Sequence, residues 1–355
     1  MDEAGVEAVI AGTLRRDDGG LDRMLTSAAE LSVRGAEVNW QSVLAGGRRV
    51  DLPTYAFQHQ RYWPDGTGPR VGDVTAAGLA TAGHPLLAAA VGLADSDGVL
   101  LTGRISLGSH PWLADHAVAG TVIFPGTGFL ELAIRAGDRV GCEVVEELTL
   151  TAPLVLGERD AVAVQVWVGA AQDNGHRSLS IYARAAEAGD DAPWVRHAVG
   201  VLAAGGSAGE RFDVGEWPPR GVSVIDVDGV YGDLAAGGFE YGPVFQGLRA
   251  AWQGRDGEVF VEVVLPEQAS SSAGLFGVHP ALLDAVLHAV PFVGLEPVEG
   301  GRLPFSWGGV CLHASGASVL RVRLAGTGVD SVALTAVDAA GEPVLSVGSL
   351  VLRPF

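Results

Sequence analysis

Pro125-Gly-Thr-Gly-Phe-Leu-Glu-Leu-Ala-Ile-Arg-Ala-Gly-Asp-Arg-Val140 is the stretch on which the reading of the fold turns. Proline fixes its own φ at about −65° and has no backbone donor, so it suits the entry to a helix. With Pro125 just ahead, the spacing predicts a helix from about Thr127 to Val140. Phe129, Leu132, Ala133, Ala136 and Val140 then share one apolar face. The flanking segments follow a different period. Gly98–Leu107 and Ala161–Val168 alternate, the latter with Val162, Val164, Val166 and Val168 on one face, and Leu179–Ala183 and Val195–Leu202 continue as strands. The scheme then recurs. Glu258–Leu265, Val319–Leu324, Val329–Val337 and Pro343–Leu352 read as strands, and a second apolar helix is predicted from Pro280 to Ala289, closed by Pro291. Two sets of antiparallel strands, each around one helix, imply an α+β architecture and an ancestral duplication carried by element order alone.

The leading residues differ. Val6–Leu14 and Gly20–Leu31 carry short helical patterns, and an aromatic run ends at Trp63-Pro64. Asp65-Gly-Thr-Gly-Pro-Arg-Val-Gly-Asp73 is dense in turn formers and reads as a linker. A second break, Ala203-Ala-Gly-Gly-Ser-Ala-Gly-Glu210 followed by Trp217-Pro218-Pro219, divides the remainder. The expected boundaries are a leading segment at 1–65, a linker at 66–83, and two halves at 84–215 and 216–355.

The 355 residues suffice for about two folding units. Hydrophobic residues make up 48% and charged ones 18%, which supports a substantial core and argues against disorder. The 23 basic and 42 acidic residues leave a net charge of −19, and every basic residue is arginine. Without lysine there is no P-loop, Schiff-base or pyridoxal-phosphate chemistry. So acidic a field does not suit phosphate backbones, so nucleic acid is not an expected partner. Cys142 and Cys311 are too few for a zinc cluster or a disulfide framework. The acidic Met1-Asp2-Glu3 lacks a basic n-region, so no signal peptide is expected. Val74–Ala94 and Leu303–Leu320 are uncharged but broken by Gly, Pro, His, Ser or Thr, so a cytoplasmic protein without a membrane span is expected.

Three constellations can carry chemistry. His116-Ala-Val-Ala-Gly120-Thr-Val-Ile-Phe-Pro125-Gly126 sets a histidine before a short apolar strand and a Pro-Gly helix start. Neutral imidazole accepts a proton near physiological pH, and the free N–H groups of a helix start, Gly126 among them, favour a carbonyl oxygen. A base beside such a site is what removal of a proton alpha to a carbonyl requires. A structural histidine beside an ordinary helix start fits the same residues. In Gly277-Val-His279-Pro280-Ala-Leu-Leu-Asp284-Ala-Val-Leu-His288, Asp284 sits among aliphatics with His288 one turn on. Desolvation favours the neutral form of a carboxyl, which can act as an acid. An exposed ion pair or two metal ligands also fit, although no third ligand lies nearby. Tyr241-Gly-Pro-Val-Phe245-Gln246-Gly247 and Leu303-Pro-Phe-Ser-Trp307 read as turns with buried aromatics, or as walls of a narrow acyl tunnel.

In this order, His116-x3-Gly120-x4-Pro125, Tyr241-Gly-Pro-Val-Phe245, Asp284-x3-His288 and Leu303-Pro-Phe-Ser-Trp307 closely resemble the dehydratase domains of modular type I polyketide synthases. The resemblance runs from roughly His84 to the last residue. Asp51-Leu-Pro-Thr-Tyr55-Ala-Phe-Gln-His-Gln-Arg61-Tyr-Trp63 resembles the linker that follows the acyltransferase in those enzymes, with residues 1–50 as the tail of that acyltransferase and its linker. The resemblance implies a double hot-dog, two antiparallel sheets each wrapped around a long helix, with one active site between them. It also implies dehydration of a β-hydroxyacyl thioester on the phosphopantetheine arm of an acyl carrier protein, without metal or other cofactor. His116 would remove the α-proton and Asp284 would protonate the departing hydroxyl. The Gly126 N–H would hold the thioester carbonyl. His288, where the family has Gln or His, would orient Asp284, and Tyr241 would line the site near the leaving group. Gly120 and Pro125 are grouped with these substrate-binding positions.

The implied partners are an acyl carrier protein, neighbouring synthase domains and a second copy of the chain in a homodimer. An acidic carrier would need a local arginine patch on so acidic a domain. Glu131, six residues after Pro125, competes with Asp284, because single hot-dog dehydratases carry their acid at such a place. In a fused pair the acid comes from the half opposite the histidine, which favours Asp284. The first turn of a helix, where Glu131 is expected, also favours a charged carboxylate rather than an acid. A hot-dog thioesterase, an enoyl isomerase and an inactive scaffolding domain stand as alternatives.

Overall fold

Period-two burial builds most of the structure. In Ala161–Val168, Val162, Val164, Val166 and Val168 are buried while Trp167 faces out. In Val319–Gly326, Leu320, Val322 and Leu324 point inward and Arg321 and Arg323 stay partly exposed. The structure, a computed structural model, describes residues 11–47, 74–189, 191–205, 216–296, 298 and 300–355. It divides into two units, Met1–Trp63 and Pro64–Phe355.

In the first unit, α1 (Leu21–Ser32) forms where Gly20–Leu31 carried a helical pattern. The short α2 (Trp40–Val43) is capped by Asn39, whose side chain accepts the Ser42 N–H at 3.2 Å. Residues 11–14 are not helical. The rest of Val6–Leu14, the aromatic run ending at Trp63, residues 66–73 of the expected linker at 66–83 and residues 206–215 of the second break lie outside the described residues, whereas residues 74–83 of that linker carry a 3₁₀ turn, Val74–Ala77, and most of the strand Ala80–His84.

The second unit opens with β1 (Ala80–His84), β2 (Leu87–Gly92), β3 (Val99–Ser106), β4 (His116–Val118) and β5 (Thr121–Val122). Helix α3 (Gly126–Val140) follows, then β6 (Val144–Leu150), β7 (Ala161–Val168), β8 (Arg177–Ala185) and β9 (Val195–Ala203). The second half runs β10 (Ser223–Ile225), α4 (Val230–Ala236), β11 (Phe239–Tyr241), β12 (Leu248–Gln253), β13 (Val259–Val264), α5 (Glu267–Ser270) and α6 (Pro280–Leu287). It ends with β14 (Arg302–Leu312), β15 (Val319–Gly326), β16 (Ser331–Val337) and β17 (Pro343–Pro354).

Among the described residues, fourteen strands form one antiparallel sheet ordered β1-β2-β3-β7-β8-β9-β6-β14-β17-β16-β15-β13-β12-β10. Followed inward from either edge, the halves repeat one connectivity: three strands, a helix, then four strands of which the first lies at the centre. Each half wraps its own helix, which is the double hot-dog. The two sheets expected from the sequence are joined edge to edge. β6 and β14 pair from Val144↔Cys311 to Thr149↔Ser306, which removes one open strand edge from each half. A small second sheet, β11-β4-β5, also crosses between the halves. No helix among the described residues is long and apolar enough to cross a membrane.

The predicted helices form with small shifts. α3 begins one residue early, and Phe129, Leu132, Ala133 and Ala136 are buried as the pattern required. Full burial of one such Leu or Phe contributes about 1.5–3 kcal/mol. Gly141 ends α3 with a φ of 70°, a left-handed conformation that glycine adopts without steric cost. α6 stops at Leu287, not Ala289. His288 caps it, and a 3₁₀ turn containing Pro291 follows.

Two side chains one turn apart on α3 hold the start of α6. The Thr127 hydroxyl donates to the Pro280 carbonyl at 3.0 Å. Glu131 accepts the Gly277 N–H at 2.7 Å and the Val278 N–H at 3.0 Å, and its Oε1 lies 3.1 Å from His84 Nε2. Glu131 is therefore in the second turn of α3, not the first as expected, and its oxygens are engaged by backbone of the opposite half. Glu131→Gln replaces one accepting oxygen with an amide nitrogen, so either the Gly277 or the Val278 N–H loses its acceptor. Denaturant unfolding should show a loss of about 1–3 kcal/mol; an unchanged midpoint would show that the tie contributes nothing.

Candidate active site

The candidate base is placed by a tight hairpin. Between β4 and β5, Ala119 and Gly120 take φ values of 48° and 74°, the pair of left-handed residues that a two-residue turn of this hand requires. The turn folds Ile123 back over His116. Ile123 donates its N–H to the His116 carbonyl at 3.2 Å and accepts from His116 Nδ1 at 2.9 Å. A carbonyl only accepts, so Nδ1 carries the hydrogen and Nε2 presents its lone pair. That Nε2 lies 3.7 Å from Asp284 Oδ2. Burial holds the His116 pKa below the ordinary histidine value, against the opposing pull of the Asp284 charge and the Ile123 carbonyl. Neutral imidazole is favoured.

Asp284 comes from the other half. His279 and Pro280 open α6, with His279 Nδ1 accepting the Ala281 N–H at 3.2 Å, and Pro280 through Val286 are all buried. Asp284 Oδ2 is 3.2 Å from His288 Nε2, one turn on. Tyr241 arrives on β11, directly opposite His116 in the β4–β11 pairing. Its ring centroid lies 4.1 Å from that of His288 and 5.6 Å from that of His116. Burial, followed by the nearby Asp284 charge, raises the Tyr241 pKa well above its ordinary value, so the hydroxyl keeps its proton.

His116, Asp284, His288, Tyr241 and Gly126 line one cavity of about 970 Å³, whose walls include Phe129, Leu150, Leu303 and Phe305. Gly126 is the first residue of α3, so its N–H has no acceptor within the helix. Gly120 and Pro125, which the sequence grouped with the substrate-binding positions, are not among the lining residues. Gly120 makes the turn, and Pro125 caps α3 with a φ of −65°. Among the described residues no group of three or more His, Cys, Asp or Glu is arranged to hold a metal ion.

Sequence reasoning missed two supports. Asp115, next to His116, accepts the Val244 N–H on Oδ2 and the Gly242 N–H on its carbonyl, both at 2.8 Å, and so docks the Tyr241-Gly-Pro-Val244 turn beside the base. Its adjacency to His116 was the one available signal. Tyr231, on α4, has its hydroxyl 3.4 Å from His288 Nδ1 and accepts the Leu248 N–H at 2.9 Å; no local pattern marks it.

A neutral imidazole from one half, facing a carboxyl from the other inside a largely apolar cavity, can exchange two protons with a bound acyl group. Known proteins carry the same arrangement of halves. Residues 84–184 match the family described as polyketide synthase dehydratase domain, and residues 209–355 that described as polyketide synthase dehydratase N-terminal domain. Polyketide synthase GfsA of Streptomyces halstedii is 55% identical over 359 residues, covering 99% of this chain and 5% of GfsA. The chain spans 5%, 7% and 9% of the first three curated relatives it matches. A structure described as giving insight into dehydratase substrate selection for the borrelidin and fluvirucin polyketide synthases is 49% identical, with a TM-score of 0.75 over 80% of this chain and 100% of that one. The dehydratase domain from the terminal module of the rifamycin polyketide synthase is also 49% identical, with a TM-score of 0.74 over 79% of this chain and 100% of that one. With both halves matched and solved dehydratase domains covered from end to end at this identity, the chain belongs to the polyketide synthase dehydratase family.

Proposed function

We propose that the domain converts a β-hydroxyacyl thioester, carried on the phosphopantetheine arm of an acyl carrier protein, into the α,β-unsaturated thioester and water. The observation that carries this reading is the 3.7 Å approach of His116 Nε2 to Asp284 Oδ2 across the two halves. His116 takes the α-proton on Nε2. The C–O bond to the hydroxyl breaks as Asp284 gives that oxygen a proton, and water leaves. Gly126 N–H, at the positive end of α3, holds the thioester oxygen as charge gathers there. The products are an imidazolium and a carboxylate, and return of one proton from His116 to Asp284 restores the starting state. His288 orients Asp284, and Tyr241 stands beside the leaving group. Both transfers use side chains, so the reaction needs no metal or redox cofactor.

The partner is an acyl carrier protein, with neighbouring domains of a modular synthase. Exposed Arg353 and half-buried Arg302 line the cavity and supply local positive charge on an acidic domain. Among the described residues the outer strands β1 and β10 each pair on one side only, and a second copy of the chain can cover such edges. Both cysteines are free and buried, in keeping with a cytoplasmic setting.

Incubation with a β-hydroxyacyl carrier protein or a short thioester mimic, followed by mass spectrometry, should show loss of water with chelator present. Release of free acid would mean a thioesterase, an isobaric product an isomerase, and no change an inactive scaffold. His116→Ala and Asp284→Asn should each lower the dehydration rate by at least about a hundredfold. If either variant kept wild-type rates, that residue's role would be wrong.

The pH profile provides a separate check. Because burial lowers the His116 pKa from 6.5, the neutral base persists below that value and is lost only as pH falls further. The acid limb of kcat/KM should therefore lie below pH 6.5. An acid limb above it would contradict a desolvated base.

A further inference from the structure

His288 can hold Asp284 in either of two ways, and only one suits an acid. If Nε2 carries the ring hydrogen, it donates to Asp284 Oδ2, 3.2 Å away, and the carboxyl proton must sit on Oδ1. If Nδ1 carries it, Nε2 becomes an acceptor and draws the Asp284 proton onto Oδ2, into the imidazole and away from the reacting group. Nothing in the contact between Asp284 and His288 decides between them.

The far side of the imidazole does. We propose that Tyr231 fixes the tautomer of His288, and through it the oxygen of Asp284 that carries the transferable proton; this rests on the dehydratase reading above. The Tyr231 hydroxyl accepts the Leu248 N–H at 2.9 Å. Among the described residues its one other polar neighbour is His288 Nδ1, 3.4 Å away, so we assign its single hydrogen to that nitrogen, which receives it only when unprotonated. The Tyr231 ring meets that of His288 edge-on, with centroids 5.5 Å apart, which holds the imidazole plane. Burial raises the Tyr231 pKa to about 12, so the hydroxyl remains a donor throughout the working range. A chain of donors thus runs from the Leu248 N–H through Tyr231 and His288 to Asp284 Oδ2. Tyr231 sits on α4 and is not among the residues lining the cavity, so it is a positioning residue that acts through His288. The second hydrogen bond of an active-site imidazole commonly sets its tautomer in this way.

Long-range ¹⁵N–¹H spectra of the whole chain, labelled at histidine, read the tautomer directly, with His288 assigned from its absence in His288→Gln. Wild type should show His288 protonated at Nε2. In Tyr231→Phe the signal should move toward the Nδ1-protonated form, with kcat falling about tenfold and KM nearly constant. Wild-type His288 protonated at Nδ1 overturns the proposal, with no variant needed. So does a folded Tyr231→Phe protein that keeps the wild-type tautomer, or one whose tautomer shifts without loss of kcat. Should wild type fail to release water at all, the dehydratase reading falls instead, while the spectrum still reports the tautomer.

Discussion

The placement of the site depends on a buried carboxylate that bonds to backbone. Glu131 accepts two N–H groups from the segment that opens α6, and Thr127, on the same face of α3, adds a third bond to it. Charge-assisted hydrogen bonds of this kind are stronger than neutral ones, and they satisfy donors that would otherwise be stranded. They fix α6 against α3, and so fix Asp284 against the helix start at Gly126. The small sheet does the same from the other side, since β11 of the second half pairs with β4 of the first and sets Tyr241 opposite His116. Each reactive side chain is therefore steadied by the half that does not carry it.

Burial then shapes the chemistry of what has been placed. It disfavours charge on the His116 ring and on the Tyr241 hydroxyl, leaving one a neutral acceptor and the other a protonated phenol. The Ile123 carbonyl fixes which nitrogen of His116 is available. His116, Asp284 and His288 are themselves buried, and at low local dielectric each hydrogen bond they make counts for more than it would at the surface.

Much of this was legible in the sequence, and what was not has identifiable reasons. Ala161–Val168 showed itself because four valines alternate with outward residues, and α3 because its apolar positions follow a helical period after Pro125. β1 and β2 escaped notice because they are rich in alanine and glycine, which have little strand preference of their own. β14 was hidden by Pro304 and by the adjacent Gly308 and Gly309, which interrupt its alternation. β4, β5 and β11, two or three residues each, are too short to carry any period. Of the site, the ordered motifs pointed to His116, Asp284, His288, Tyr241 and Gly126, which line one cavity. Glu131 and Asp115 could not be read as supports, because the N–H groups they accept lie more than a hundred residues away.

Because the halves share one connectivity, the second turn of the central helix is an equivalent address in each, and the two addresses have diverged. In α6 it holds Asp284, facing the cavity; in α3 it holds Glu131, facing backbone of the other half. Exchange of halves between related domains therefore remakes this brace whichever half is replaced. A foreign first half brings its own histidine and a brace that must reach the resident backbone at 277 and 278. A foreign second half must carry the acid and also present its backbone at 277 and 278 where the resident brace reaches. Grafting tolerance for either half is therefore set by whether the loop at 277 and 278 meets the carboxylate of Glu131, more than by the residues around Asp284.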